Sequence, residues 1–348
     1  MIPDDPTVKG TIQKTLMTCL LFEGFWDRWI AHGIRREDVA GFQRRLTSAE
    51  AWNGILQKCA EDFAKQAIFL QAQQDRKEAE EHFRMAGLYY NLLQWLYPTG
   101  DEKRKWFARC KELFQRADRL SEDQILEAVI DVDGNDCFGR IRVPERKQGI
   151  MVIVNPIDSS KEELFTYETD FAKLGFVTVS FDGPGQGETY VRTSFKATRL
   201  HWEKFMNQVI DYASNQYPGL PLALFGTSSG GAWAIEGSAH PKVGKAISVS
   251  PACASGVRMP DYFMERMAYI LDDSAQSLLP KLDNFDNFSP ILLFHGNKDV
   301  MVKDTDIYEL YQKLPAGKQL IEYENEGHCC NFKLREIRKI SAEWSLGG

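Results

Sequence analysis

The chain has 348 residues, of which 43% are hydrophobic and 12% aromatic, with a formal net charge of −7 and an isoelectric point near 5.5. This length and apolar content exceed what one compact domain needs, so two packed units are expected. The acidic balance gives no electrostatic footprint for phosphate backbones, which argues against nucleic acid as a partner, and the longest apolar runs, such as Leu16 to Phe22, fall well short of the roughly 18 to 20 residues of a membrane helix.

The first part of the chain, residues 1–122, reads as helix throughout, because its apolar residues keep a three-four spacing that buries one face of each helix. Thr47-Ser-Ala-Glu50 has the form of a capping box and opens a stripe of Trp52, Ile55, Leu56, Cys59, Phe63 and Ala67. A second stripe, Phe83, Ala86, Tyr90 and Leu93, is stopped by Pro98 and Gly100, and a third runs Trp106, Phe107, Cys110, Leu113, Phe114 and Ala117. Together they predict antiparallel helical hairpins, without a repeat of fixed period.

Near residue 122 the pattern changes to short β-rich runs separated by turns and helices. Leu126 to Val132 and Cys137 to Val143, around Asp133-Gly-Asn-Asp136, predict an antiparallel edge pair. Then come Met151 to Asn155, Phe176 to Phe181, Leu222 to Phe225, Ala246 to Val249, Ile291 to Phe294 and Gln319 to Tyr323. Strand-helix alternation of this kind makes residues 123–348 an α/β unit with a mostly parallel sheet and helices on both faces. Between Pro251 and Pro290 a long excursion containing Met259, Phe263, Met264, Met267, Tyr269 and Ile270 is expected to hold a helix with lid-like contacts.

The chemistry centres on Gly226-Thr-Ser-Ser-Gly230, a G-x-S-x-G pattern directly after an apolar strand and before a helix. A sharp strand-to-helix turn needs small residues around the serine, because a neighbouring Cβ would clash. Ser228 is therefore the candidate nucleophile. Its partners are expected beyond later strands in the order acid, then histidine. Asp299 ends the turn after Ile291-Leu-Leu-Phe-His-Gly-Asn-Lys, and His328 ends Glu324-Asn-Glu-Gly-His after the last strand. A serine hydroxyl is a poor nucleophile until an imidazole accepts its proton, and a buried carboxylate holds that imidazole in the useful tautomer.

The oxyanion donors expected are the backbone N–H groups of Ser229 and, since Pro156 has none, of Ile157. His295 lies before the acid and is read as a brace for the Asp299 loop. Glu322, Glu324 and Glu326 are weaker candidates for the acid, since they share the loop of the histidine they would orient. Phe181-Asp-Gly-Pro-Gly-Gln-Gly-Glu188 lacks the Lys-Ser/Thr ending of a P-loop and the spacing of a dinucleotide fingerprint, so it is read as a structural turn beneath the nucleophile.

Five segments, Asn155-Pro-Ile-Asp-Ser-Ser-Lys-Glu-Glu163, Asp182-Gly-Pro-Gly-Gln-Gly-Glu188, Gly226-Thr-Ser-Ser-Gly-Gly231, Gly296-Asn-Lys-Asp299 and Glu326-Gly-His328, resemble one branch of the α/β-hydrolases. That branch includes 2,6-dihydroxypseudooxynicotine hydrolase, the fungal polyketide-shortening hydrolases and the fermentation-respiration switch protein. The resemblance implies an α/β-hydrolase fold with an N-terminal helical lid domain and the triad Ser228, Asp299 and His328. It also implies cleavage of a carbon-carbon bond next to a ketone, or of an ester-like acyl bond. Asn155-Pro156 stands where the branch usually has a glycine pair.

The expected substrate is thus a small acyl or ketone compound, of apolar or aromatic character, with no cofactor and no metal. Acyl transfer or cyclisation on the same fold, and a noncatalytic binding protein that kept it, are the alternatives. A peptidase is disfavoured, because a helical region does not resemble the propeller that gates oligopeptidases. Family relatives are often dimers, so a homodimer is expected too. The acidic start Met1-Ile-Pro-Asp-Asp-Pro6 is unlike a secretory signal, and seven cysteines without metal-ligand spacing suit reduced thiols, so a cytoplasmic protein is expected. The adjacent Cys329 and Cys330 are read as small apolar fillers beside His328.

Overall fold

The structure is a computed structural model that describes residues 6–22, 24–253, 259, 261–272 and 277–347. The chain divides into two compact units, one of residues 1–122 with 261–269 and one of residues 123–260 with 270–348. Among the described residues no helix is long and apolar enough to cross a membrane.

The helical unit opens with α1 (Pro6–Leu21), α2 (Gly24–Ala31) and α3 (Arg36–Phe42), followed by the long helices α4 (Ala49–Ala72), α5 (Arg76–Trp95) and α6 (Asp101–Asp118). Short connections fold α4, α5 and α6 back on one another, and α5 packs along the length of both α4 and α6. Every residue of the third sequence stripe, from Trp106 to Ala117, is buried on α6, as the three-four period requires. On α5 every residue from Ala86 to Trp95 is buried, so burial runs all the way round its second half, which makes it the central element of the bundle. The start of α4 differs from the expectation by one residue. Ser48, not Thr47, is the N-cap, with its hydroxyl accepting the Ala51 N–H at 3.1 Å. Adjacent Thr and Ser offer the same hydroxyl, and the backbone leaves the extended region only after Ser48.

The second unit holds an eight-stranded sheet with β1 (Gln124–Val132), β2 (Asn135–Val143), β3 (Gly149–Val154), β4 (Phe176–Phe181), β5 (Leu222–Thr227), β6 (Lys245–Val249), β7 (Ile291–Gly296) and β8 (Gln319–Tyr323). The spatial order is β1-β2-β4-β3-β5-β6-β7-β8. β1 and β2 form the antiparallel edge hairpin, and β2 also runs antiparallel to β4. Their two-residue loop has positive φ at Asp133 and Gly134, the primed turn that matches strand twist. The other neighbours are parallel. β3, β4, β5 and β7 are buried along their whole length, which is why they read as continuous apolar runs rather than alternating ones.

Helices α7 (Phe165–Lys173), α8 (Gly187–Thr193), α9 (Arg199–Gln216), α10 (Ser229–Gly237), α11 (Asp261–Ile270), α12 (Asp304–Lys313) and α13 (Leu334–Leu346) complete the chain. The excursion after Pro251 does contain a helix, α11. Most of it groups with the helical unit, where the Arg266 guanidinium stacks 3.8 Å from the Trp95 ring and donates to the carbonyls of Trp95 and Leu96. Residues 254–258, 260 and 273–276 of that excursion lie outside the described residues.

Candidate active site

Parallel strands put all their carboxyl ends on one edge of a sheet, and loops leaving that edge are the ones that meet. Here those loops follow β3, β5, β7 and β8, and they carry Ile157, Ser228, Asp299 and His328 respectively. Ser228 sits between β5 and α10 with φ 53° and ψ −122°, a conformation that costs a non-glycine residue about 1–3 kcal/mol. The strain is held by its surroundings. The Ser228 N–H donates to Val249 O at 2.9 Å, and its carbonyl accepts from Ala252 at 3.0 Å and from Ala232 at 3.1 Å.

The flanking glycines are required by contact. A Cβ on Gly226 would stand 2.1 Å from Gly230 O, and one on Gly230 would stand 2.1 Å from Val154 O. Both obstacles are backbone, which cannot swing aside. Gly230→Ala is expected to cost about 3 kcal/mol of stability, read as a fall in the urea unfolding midpoint; an unchanged midpoint would contradict the contact.

The three sequence candidates meet through hydrogen bonds. His328 Nε2 lies 2.9 Å from Ser228 Oγ, and His328 Nδ1 lies 2.8 Å from Asp299 Oδ2. Asp299 Oδ1 accepts the N–H groups of Met301 at 2.8 Å and Val302 at 2.9 Å, and its side chain is fully buried. Burial works to raise the Asp299 carboxyl, but His328 and those two backbone donors outweigh it and hold the group below its ordinary range. Burial likewise opposes the His328 imidazolium, yet the Cys329 sulfur and the Asp299 carboxylate prevail and raise the imidazole above its ordinary range.

Acid loop and histidine loop are stitched together by backbone. Lys298 N–H donates to Glu326 O at 2.9 Å, Asn297 N–H donates to Tyr323 O at 3.0 Å, and a Cβ on Gly296 would stand 2.4 Å from Glu326 O. His295 is buried and its Nε2 meets Asp304 Oδ1 at 2.7 Å, spanning the Asp299 loop from strand to following helix. The glutamates considered as alternative acids face elsewhere. Glu322 accepts from Asn297 and from the Tyr308 hydroxyl, Glu326 accepts the Phe332 N–H, and Glu324 is exposed.

Ser229 follows Ser228 at the start of α10, and its Oγ accepts the Ile157 N–H at 2.9 Å. Both backbone N–H groups expected as oxyanion donors therefore belong to residues that touch each other beside Ser228.

Three contributors were missed in the sequence. Ser250 Oγ accepts the Cys329 N–H at 3.1 Å, which fixes the backbone just after His328, where Cys329 and Cys330 both have positive φ. Gln186 donates to the loop that carries Ile157. Lys161, Asp182, Glu188 and Glu162 form a buried ionic cluster beside it: Lys161 Nζ lies 2.9 Å from Asp182, 2.7 Å from Glu188 and 3.1 Å from Glu162. Asp182, Gln186 and Glu188 belong to the glycine-rich turn and Lys161 and Glu162 to the Asn155–Glu163 segment, both singled out in the sequence but without these contacts, whereas Ser250 carried no signal.

Sheet order, strained serine turn and the three converging loops decide the architecture. The chain has the α/β-hydrolase fold. A solved structure of 2,6-dihydroxy-pseudo-oxynicotine hydrolase has the same fold, with a TM-score of 0.79 at 24% identity over 92% of this chain and 95% of that one. AbyA5 follows with a TM-score of 0.64 at 14% identity over 82% and 88%. Among curated proteins, 2,6-dihydropseudooxynicotine hydrolase of Paenarthrobacter nicotinovorans is 26% identical over 92% of this chain and 90% of its own length. Hydrolase pyiE of Pyricularia grisea is 27% identical over 63% of this chain, and hydrolyase poxO of Penicillium oxalicum is 32% identical over 29%.

The fungal proteins are longer, and the chain spans 51% of the first and 26% of the second. The family model for serine aminopeptidase, S33, matches residues 145–289, which takes in the serine turn but neither Asp299 nor His328. The chain is thus an enzyme with the α/β-hydrolase fold, similar to 2,6-dihydropseudooxynicotine hydrolase and to the fungal hydrolases.

Proposed function

We propose that this α/β-hydrolase works through an acyl-Ser228 intermediate, with His328 as general base and Asp299 as the acid that orients it. The continuous hydrogen-bonded chain from Ser228 Oγ through the imidazole to a buried carboxylate carries this reading. His328 Nε2 takes the serine proton as Oγ bonds to the substrate carbonyl carbon. The resulting oxyanion is received by the N–H groups of Ser229 and Ile157. The leaving group departs with the proton from the imidazolium, and water, deprotonated by His328, then releases the acid.

The substrate class proposed is a small carbonyl compound of apolar or aromatic character. Cleavage of a carbon-carbon bond next to a ketone ranks above plain ester hydrolysis, in keeping with the relative named for 2,6-dihydropseudooxynicotine. The test is intact-protein mass after exposure to a fluorophosphonate, on wild type, Ser228→Ala and His328→Ala. One adduct on wild type, lost in both variants, supports the reading, and screening β-diketones against 4-nitrophenyl esters then separates the two bond types. A folded wild type that takes no adduct and turns over neither substrate class overturns it.

A base must be neutral to accept a proton, so a raised imidazole moves the acid limb of turnover upward in pH. The midpoint of that limb is expected above the ordinary histidine value of about 6.5. In Cys329→Ala it is expected to move down, since the sulfur that favours the imidazolium is gone. Measuring kcat/KM across the pH range checks both, and a limb that stays in place in Cys329→Ala rejects the role of the sulfur.

A further inference from the structure

We propose that Gln186 is a positioning residue that aims the Ile157 N–H at the oxyanion, an inference that rests on the reading of Ser228 as an acyl-forming nucleophile. The segment Asn155-Pro156-Ile157 leaves the carboxyl end of β3, and Pro156 has no N–H. Ile157 is therefore where the loop can first offer a donor beyond Asn155. A peptide unit is planar and trans, so its N–H points opposite to its own C=O. The oxygen opposed to the Ile157 N–H is Pro156 O. Whatever holds Pro156 O holds the direction of that N–H.

Gln186 Nε2 donates to Pro156 O at 2.7 Å and to Asn155 O at 3.0 Å. Its Oε1 accepts the Gly183 N–H at 2.8 Å, so the amide has one orientation: reversed, it would set oxygen against two carbonyls and NH2 against an N–H. The residue is buried, and both of its N–H groups are used. At the other end of the same peptide unit, Ser229 Oγ accepts the Ile157 N–H at 2.9 Å. The unit is thus gripped at its oxygen, while its hydrogen is held by the Ser229 hydroxyl in the free protein and reaches the oxyanion only when that hydroxyl rotates away or shares it.

Ser159 also bonds Pro156 O, through its N–H at 3.0 Å and its hydroxyl at 2.8 Å. Those contacts lie within the turn and travel with it. They shape the turn but do not orient it against the serine elbow. Gln186 reaches in from the turn after β4, which is anchored by Asp182: its carboxylate accepts the N–H groups of Lys161 and Glu188, each at 2.8 Å. Asn155 Nδ2 adds a bond to Phe181 O at 3.1 Å. The glycine-rich turn therefore grips the 155–161 loop at both ends, and Gln186 is the grip on the peptide that bears the donor. Filling space would need only an apolar side chain; a buried amide with three satisfied hydrogen bonds sets direction.

The test compares wild type, Gln186→Met and Gln186→Glu in the full chain. Gln186→Met keeps the length and loses the donors, and Gln186→Glu keeps the Gly183 acceptor but turns oxygen toward the two carbonyls. Loss of an oxyanion donor costs about 10²- to 10³-fold in kcat, so a loosened one is expected to cost about 10- to 100-fold on 4-nitrophenyl butyrate with KM little changed. Affinity for phenylboronic acid, whose serine adduct carries the oxyanion, is expected to weaken by a similar factor. A folded variant with kcat and boronate affinity within about twofold of wild type overturns the proposal, as does a kcat loss that boronate affinity does not follow.

Should both variants fail to fold, the crystal structure of the wild-type phenylboronic acid adduct decides. An adduct oxygen within hydrogen-bond distance of Ile157 N, with both Gln186 bonds kept, supports the proposal, and an oxygen away from Ile157 N overturns it. Wild type that neither takes the fluorophosphonate nor hydrolyses the ester marks failure of the functional reading itself, which is distinct from a Gln186 effect absent in an active enzyme.

Discussion

Asp299→Asn is expected to lower kcat by about 10⁴-fold while the protein stays folded. The reason lies in what the two carboxylate oxygens face. Oδ1 accepts the N–H groups of Met301 and Val302, so in the asparagine variant the amide oxygen is kept there and the NH2 group is turned toward His328. An NH2 opposite Nδ1 makes Nδ1 an acceptor and places the ring proton on Nε2. That nitrogen lies 2.9 Å from Ser228 Oγ and can then no longer take its proton. Geometry survives, because amide and carboxylate have nearly the same shape, and the base is lost. Steady-state kinetics on 4-nitrophenyl butyrate beside a thermal melt make the check. A folded variant that keeps activity within about tenfold of wild type would remove Asp299 from the mechanism.

Lys161→Met is expected to be the most destabilising single change in the second unit. The Lys161 side chain is fully buried among Asp182, Glu162 and Glu188, and although burial opposes its charge, the three carboxylates hold it well above the ordinary lysine range. Removing the cation leaves acids in a site with almost no water, at a cost of about 3–5 kcal/mol, or a fall in melting temperature on the order of 10 °C.

The loss also has a pH signature. Asp182 is pushed up to about 6 by burial, with Lys161 opposing the rise, so its folded value lies above its unfolded one. The stability this carboxyl contributes is complete below the unfolded value of about 4 and is lost as pH rises through about 6. Without Lys161 the ionised form is disfavoured further. The gap between variant and wild type is therefore expected to be smaller at mildly acidic pH and to widen above neutrality. Melts at both ends of that range test it, and a gap independent of pH would mean the cluster does not titrate as described.

Much of this protein was legible in its sequence because the signals are local. Burial period set the helices and strands: Phe176–Phe181 and Gln319–Tyr323 have the expected bounds, and α6 buries the whole of its expected stripe. The serine turn announced itself through glycines that a strained elbow cannot replace, and Asp299 and His328 through their places after successive strands. Even where the reading slipped, from Thr47 to Ser48 at the start of α4, it slipped between two neighbouring hydroxyls.

What only the tertiary structure decided are contacts between residues far apart in the chain. Gln186 with the carbonyls of Asn155 and Pro156, Ser250 with the Cys329 N–H, Lys161 within three acids, and α11 grouped with the first helices all depend on strand order and on which loops share an edge. Period and turn chemistry carry no trace of those choices, because a glutamine in a glycine-rich turn has the same local preferences whichever loop it meets. The sequence by itself named the candidate groups for the chemistry; the packing of the sheet determined which buried polar groups hold them in place.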